Sequence, residues 1–233
     1  MPNISNEAFS LDGVELPSDF PYRAYVMEPH WERLVGLGDE VVLERGEQLH
    51  AERDARFCYL VLDGMVGSSN PAPAGSPQHG AFFLRGSLFL ESNALSGLPS
   101  DTVFTALERT TLVRIGRERM KAAMMADGDV FDLVICSLAH KFFSANERLR
   151  ETERYDVRMR VYLMLLGFAK DCDEPLGDDW YRITFKLTQQ MIGDMLGANR
   201  VTVNTAVRNL ADEGVVDKRD GSYLVRDPKG LIV

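Results

Sequence analysis

Residues 197–210, GANRVTVNTAVRNL, read as the start of an amphipathic helix just after a glycine, with hydrogen-bonding side chains gathered on one face. With a helix beginning near Asn199, Val203, Ala206 and Leu210 share one face, while Arg200, Val201, Asn204, Thr205 and Arg208 share the opposite one. The second face offers a guanidinium fork, an amide and hydroxyls, which suit recognition of donors and acceptors on another surface. It lacks a nucleophile paired with a base. Val201 stands out there as an apolar side chain where water should lie. The residue types that hold metals are scattered: His30, His50, His79 and His140 show neither H-x-H nor H-E-x-x-H spacing. Cys58, Cys136 and Cys172 are odd in number and far apart, which fits neither a disulfide framework nor a metal knuckle and predicts buried, reduced thiols. A metal site is therefore not expected. A β-barrel enzyme of the cupin kind lacks its clustered ligands, so no catalytic residue is assigned.

The elements that must carry this face are long enough for two units, at 233 residues. A hydrophobic share of 45% and a charged share of 26% are those of a globular chain. The net charge of -9 argues against a polyanion partner until its distribution is read. Residues 1–153 hold 14 Lys and Arg against 23 Asp and Glu, whereas residues 154–233 hold 12 against 12. Charge acts locally over roughly 8–10 Å, so the C-terminal part is free of the acidic excess that would repel nucleic acid. The N-terminus, MPNISNEAFSLDG, has no basic segment followed by an apolar run. The longest apolar stretch, VYLMLLGFA, falls short of the roughly 20 residues of a membrane span, which predicts a cytoplasmic protein.

Between about 20 and 116 the pattern is short strands, EVVLERGEQLH, RFCYLVLDGMVG, GAFFLRGSLFLES and TVFTALERTTLVRIG, which predicts a β-sandwich or barrel. SSNPAPAGSPQHG, 68–80, is a loop by composition. A helix capped by Asp127 or Asp129 follows, with Phe131, Ile135, Leu138, Phe142, Ala145 and Leu149 at alternating steps of four and three, the period of a coiled-coil seam. That period favours pairing with a second copy. A second helix starts at Asp156, an acidic loop and the strand YRITFKL come next, and LTQQMIGDMLGANRVTVNTAVRNLADEGVVDKRDGSYLVRD reads as helix, turn, helix and hairpin. Thr188 is the expected N-cap, Gly197 the turn, Gly214 the end of the last helix, and Asp220-Gly221 the hairpin turn.

YLVLDG at 59–64, the G-x-x-x-x-E of GSLFLE at 86–91, D-V-x-x-R at 156–160 and L-T-Q-Q-x-I-G-x-x-L-G-x-x-R-x-T-V at 187–203 together resemble the Crp-Fnr family of bacterial transcription regulators. The resemblance covers nearly the whole chain. It implies an α+β chain: an N-terminal β-roll of the cyclic-nucleotide-binding type, a jelly roll, over 1–126, a long dimerisation helix over 127–155, and a winged helix-turn-helix over 156–233. In cyclic-AMP-binding members a glutamate that binds the ribose is matched by Glu91, but the arginine and serine that hold the cyclic phosphate fall at Asp101 and Thr102. An aspartate repels a phosphate that only a guanidinium grips in two places. The two hydroxyl residues that reach the purine correspond to Ala145 and Asn146. The expected effector is therefore a small organic molecule other than cyclic AMP, in a pocket of Phe82, Phe89, Leu90, Glu91, Asp101, Thr102, Phe142, Ala145 and Asn146. No cofactor is assigned: no cysteine precedes Cys58 to hold an iron-sulfur centre, and His79 is an isolated haem-ligand candidate. A cyclic nucleotide held by a different phosphate contact, and a member without any effector, stay open as alternatives.

The family resemblance also places the second helix of the motif in the major groove of double-stranded DNA, with base-reading roles for Arg200, Val201, Asn204 and Thr205. Arg200 suits guanine O6 and N7, and Asn204 suits adenine N6 and N7. The natural partner of Val201 is the C5 methyl of thymine, which predicts A/T-rich half-sites. Thr188, Asn199, Thr202, Lys218 and Arg219 are expected on phosphates. The expected assembly is a homodimer on a palindrome, with its DNA-binding units re-set near Asp156 by the effector, and with RNA polymerase as a further partner if it activates.

Overall fold

The structure, a computed structural model, describes residue 22 and residues 31–70, 80–172 and 175–228. The chain divides between Arg150 and Glu151 into two compact units.

In the first unit, eight short strands form two four-stranded antiparallel sheets. The strands are β1 (Asp39–Leu43), β2 (Gln48–His50), β3 (Phe57–Asp63), β4 (Val66–Ser69), β5 (Phe82–Phe83), β6 (Leu88–Phe89), β7 (Val103–Ala106) and β8 (Thr110–Gly116). One sheet has the order β1-β8-β3-β6 and the other β2-β7-β4-β5. Tyr59, Val61, Phe89 and Leu112 of the first sheet share a core with Val66, Phe83 and Phe104 of the second. The alternate residues of β3 and β8, Cys58, Leu60, Val113 and Ile115, pack on the other side against Met120, Val130, Leu133 and Val134. Burial on both faces explains why YLVL reads as a continuous apolar run instead of an alternating one.

The sequence run expected as a single strand through 103–116 is two strands in different sheets, broken at Leu107–Arg109. GAFFLRGSLFLES likewise divides into β5 and β6, again one in each sheet. Alternation persists across both corners, so periodicity alone does not reveal them. At the first corner the Thr110 hydroxyl donates to the Met65 and Glu108 carbonyls, at 3.2 and 3.0 Å. Gly64, with φ +85, lies so close that a Cβ would stand 2.6 Å from the Arg109 carbonyl oxygen.

Helices α1 (Ala51–Asp54), α2 (Glu91–Ser96) and α3 (Arg117–Ala126) decorate the sheets, and α4 (Gly128–Arg154) follows. Asp127 caps α4, its carboxylate accepting from the Asp129 N–H at 3.0 Å. Val130, Leu133, Val134, Ser137 and Ser144 of α4 are buried. Phe131, Ile135, Phe142 and Leu149 are exposed, Phe142 by 66% and Leu149 by 65%. Of the heptad positions read from the sequence, these four and Ala145 form an exposed stripe, while Leu138 packs partly against the core.

The second unit starts with α5 (Val157–Cys172), where the Asp156 side chain accepts from the Met159 N–H at 2.8 Å. From Val161 to Leu166 every residue of α5 is buried, so this helix is the unit's spine. Around it lie α6 (Gln189–Leu196), α7 (Arg200–Asp212) and a sheet of order β11-β12-β10-β9, made of β9 (Pro175–Gly177), β10 (Trp180–Arg182), β11 (Val216–Arg219) and β12 (Ser222–Arg226). The strand expected over YRITFKL ends at Arg182. One more bond, Ile183 N–H to the Tyr223 carbonyl, follows, and then Phe185 turns to meet Phe168 edge-on at 5.1 Å. Arg160 is buried and donates to the Leu196 carbonyl at 3.0 Å and the Thr152 hydroxyl at 3.2 Å, so the D-V-x-x-R arginine ties α5 to the end of α6.

The expectation of buried thiols holds for Cys58 and fails for Cys136, which lies exposed on α4; the Cys172 side chain and His79 lie outside what is described. Burial first, and the Glu91 charge second, push the Cys58 thiol up to about 12. Cys136 is expected to react with a thiol reagent in the folded protein, and Cys58 only on unfolding. Because the unfolded chain loses the Cys58 proton near pH 9 and the folded one near 12, stability falls as pH rises through that window. A urea midpoint lower at about pH 10.5 than at about pH 8 checks the sign.

Candidate nucleic-acid interface and sensor site

The second unit presents α7 on a short, constrained turn. Thr188 caps α6 by accepting from the Met191 N–H at 3.2 Å, and Gly197 ends it at φ 68. At Gly193 the chain approaches itself so closely that a Cβ would lie 2.5 Å from the Ala198 carbonyl oxygen. Asn199 then caps α7: its side-chain oxygen accepts from the Thr202 N–H at 2.8 Å and from the Thr202 hydroxyl at 3.0 Å. Val203, Ala206, Val207 and Leu210 are buried, which turns Arg200, Val201, Asn204, Thr205 and Arg208 outward together. Val201 is 74% exposed.

Two side chains on this face are more constrained than the sequence implies. The Thr205 hydroxyl donates to the Val201 carbonyl at 3.1 Å, so its proton is engaged within the helix. The Asn204 side-chain oxygen accepts from the Gln189 amide of α6 at 3.0 Å. A cleft of about 550 Å³ beside these residues is lined by Lys186, Thr188, Gln189, Arg200, Lys218 and Gly221, among others. Three cations from three segments, before α6, at the start of α7 and on the hairpin, therefore share one concavity whose floor includes the capped start of α6. Lys218 stands over the Tyr223 ring, with Nζ 5.0 Å from its centroid. Arg219 pairs with Asp217 at 2.8 Å, and the Lys218 N–H followed by Arg219 holds the Asp217 carboxyl below the usual carboxylate range. The hairpin turn is Asp220-Gly221, with φ of 52 and 83.

The residues expected to form one sensor pocket are spread over different surroundings in the first unit. Phe89 is core: it stacks on Tyr59 at 5.3 Å and on Phe104 at 4.9 Å. Phe82 and Leu90 are buried as well, Leu90 in the left-handed region at φ 62. Phe142 and Ala145 are on the exposed side of α4, and Asn146 donates to the Phe142 carbonyl of its own helix at 3.0 Å. Asp101 is exposed, while the Thr102 hydroxyl donates to Asn70 at 2.7 Å and lies 2.6 Å from the Ser100 hydroxyl. Glu91 is fully buried, and one of its oxygens receives both the Ser137 hydroxyl, at 2.8 Å, and the Lys141 ammonium from α4. Lys141 also donates to the Leu88 carbonyl at 3.0 Å and stands 5.6 Å from the centre of the Phe83 ring.

Residues 158–232 match the Crp-like helix-turn-helix domain family, and residues 40–127 match the cyclic nucleotide-binding domain family. The chain belongs to the Crp-Fnr family of transcription regulators. Among relatives of this Crp-Fnr protein is a CRP-like cAMP-activated global transcriptional regulator of Mycobacterium tuberculosis, 25% identical over 80% of this chain and 84% of its own. The fold is shared with CprK solved in complex with OCPA, at a TM-score of 0.69 and 17% identity over 90% of this chain and 95% of that one. It is also shared with CLP, a c-di-GMP responsive global regulator of Xanthomonas campestris, at a TM-score of 0.71 and 13% identity over 84% and 97%. This Crp-Fnr chain is a DNA-binding regulator and not an enzyme.

Sequence reasoning missed three residues. Lys186 and Gln189 flank the Thr188 cap, and attention to both sides of a helix start would have flagged them. Lys141 interrupts an apolar helix, a signal visible in SLAHKFFS but with no partner visible along the sequence. Removing that ammonium leaves the buried Glu91 carboxylate without its counter-charge. Lys141→Met is accordingly expected to lower stability by roughly 2–4 kcal/mol, measured by urea unfolding, even though it replaces a polar side chain with an apolar one of similar length.

Proposed function

We propose that this Crp-Fnr protein binds palindromic DNA as a homodimer, reads A/T-rich half-sites through α7, and responds to a small organic effector other than cyclic AMP. The observation that carries the DNA reading is Val201, 74% exposed on an otherwise polar face, with the hydroxyl proton of Thr205 engaged by its own helix. An apolar side chain exposed in the major groove complements a thymine methyl, which carboxylate, amide and guanidinium groups do not. Arg200 and Asn204 supply the polar base contacts, with Arg200 also able to reach the backbone from the cleft it shares with Lys186 and Lys218. Asn199, Thr188 and Lys218 take phosphates. Thr202 and Arg219 contribute there by orienting Asn199 and by exchanging Asp217 for phosphate. The partly uncovered α4 stripe supports the homodimer, and RNA polymerase is a further partner if the protein activates. The proposed location is the cytoplasm; no described helix is long and apolar enough to cross a membrane.

The effector reading rests on Asp101 at the position where cyclic-nucleotide binders place an arginine. A cAMP-activated relative, CprK complexed with OCPA and the c-di-GMP responsive CLP carry three different small molecules on one architecture, which supports a sensor whose ligand varies with a few side chains. Val201→Glu tests the DNA reading by selection from a random DNA pool. The expected result is loss of thymine at one position of each half-site, with cytosine replacing its partner base through the new carboxylate. An unchanged preference contradicts methyl reading.

A further inference from the structure

Gln189 and Asn204 are 15 residues apart in sequence and meet side chain to side chain, Gln189 Nε2 donating to Asn204 Oδ1 at 3.0 Å. A terminal amide can present either its oxygen or its NH2 to the same place by a half-turn of its last torsion, so an exposed asparagine alone does not define what it reads. Gln189 restricts that freedom, its Nε2 being the donor in the contact. It is the first residue of α6, anchored behind the Thr188 cap, and half-buried in the wall of the cleft. A donor placed there turns the Asn204 oxygen toward α6 and leaves the NH2 on the opposite side. The Thr205 hydroxyl, on the same face, is engaged with the Val201 carbonyl.

We propose that Gln189 is a positioning residue that fixes the Asn204 amide, so that Asn204 reads its base as a hydrogen-bond donor. This rests on the reading that the exposed face of α7 meets base edges. In the major groove guanine O6 and N7, adenine N7 and thymine O4 accept such a bond, whereas cytosine presents only its N4–H2 donor. The forked adenine contact expected from the sequence needs the oxygen outward to accept from N6, and the Gln189 bond turns it away. Specificity at this position therefore belongs to a pair of residues on two helices.

The test is site selection from random DNA with the full chain and three variants. Asn204→Ala is expected to erase the preference at one position of each half-site. Gln189→Ala, which lets the amide rotate, weakens that same preference roughly fivefold and leaves the other positions alone. Gln189→Glu is the decisive variant: a carboxylate only accepts, so it draws the Asn204 NH2 inward, turns the oxygen outward, and moves the preference to cytosine or adenine. If both Gln189 variants reduce binding to all sequences alike while the preference at that position stays, Gln189 is a backbone contact and the positioning proposal is overturned. If Asn204→Ala itself changes no position, base reading by Asn204 fails, a separate failure from that of its orientation by Gln189.

Discussion

Helix α4 has to satisfy two apolar stripes at once. Val130, Leu133 and Val134 run along one side and close the core beneath β3 and β8, where Cys58, Leu60, Val113 and Ile115 wait for a lid. Phe131, Ile135, Phe142 and Leu149 run along another and are left to water. Without the first contact the β3–β8 pair would expose its second face. Without a cover for the second, the chain displays a row of large apolar side chains with coiled-coil spacing, which soluble proteins avoid unless something binds there. The same helix carries Lys141 and Ser137 to the buried Glu91 of α2, so the counter-charge of Glu91 and the exposed stripe sit on one helix. Any change that moves Glu91 has α4 as its direct neighbour.

On α7 the backbone geometry and the exposed chemistry are set by different residues. Capping at Thr188 and Asn199, the left-handed Gly197 and the tight approach at Gly193 fix where α7 points, and none of these depends on which base is read. The exposed face is then a small set of interchangeable side chains. Val201 makes part of it apolar, Gln189 and Asn204 make part of it a defined amide edge, and Arg200 joins the cationic cleft.

The elements governed by short-range chemistry were legible in the sequence. The two faces of α7, the caps at Asp127, Asp156, Thr188 and Asn199, and the Asp220-Gly221 turn all follow from side chains within four residues of one another. The α4 stripe was legible for the same reason. What stayed hidden depends on distant partners. The strand breaks at Leu107–Arg109 and near Gly86 keep their alternation while the chain passes from one sheet to the other. Phe89 reads as a pocket aromatic until its stacking on Tyr59 and Phe104 is seen. Lys141 with Glu91, 50 residues apart, and Gln189 with Asn204 are pairs that only the fold brings together.

The account turns on whether a second copy covers the α4 stripe, because palindromic reading requires two α7 helices. Sedimentation equilibrium of the full chain beside Phe142→Glu measures this most directly. The wild type should sediment as a dimer, and the variant, with a carboxylate in the middle of the stripe, as a folded monomer with an unchanged circular dichroism spectrum. A wild type that stays monomeric at micromolar concentration, or a Phe142→Glu variant as dimeric as the parent, would contradict it.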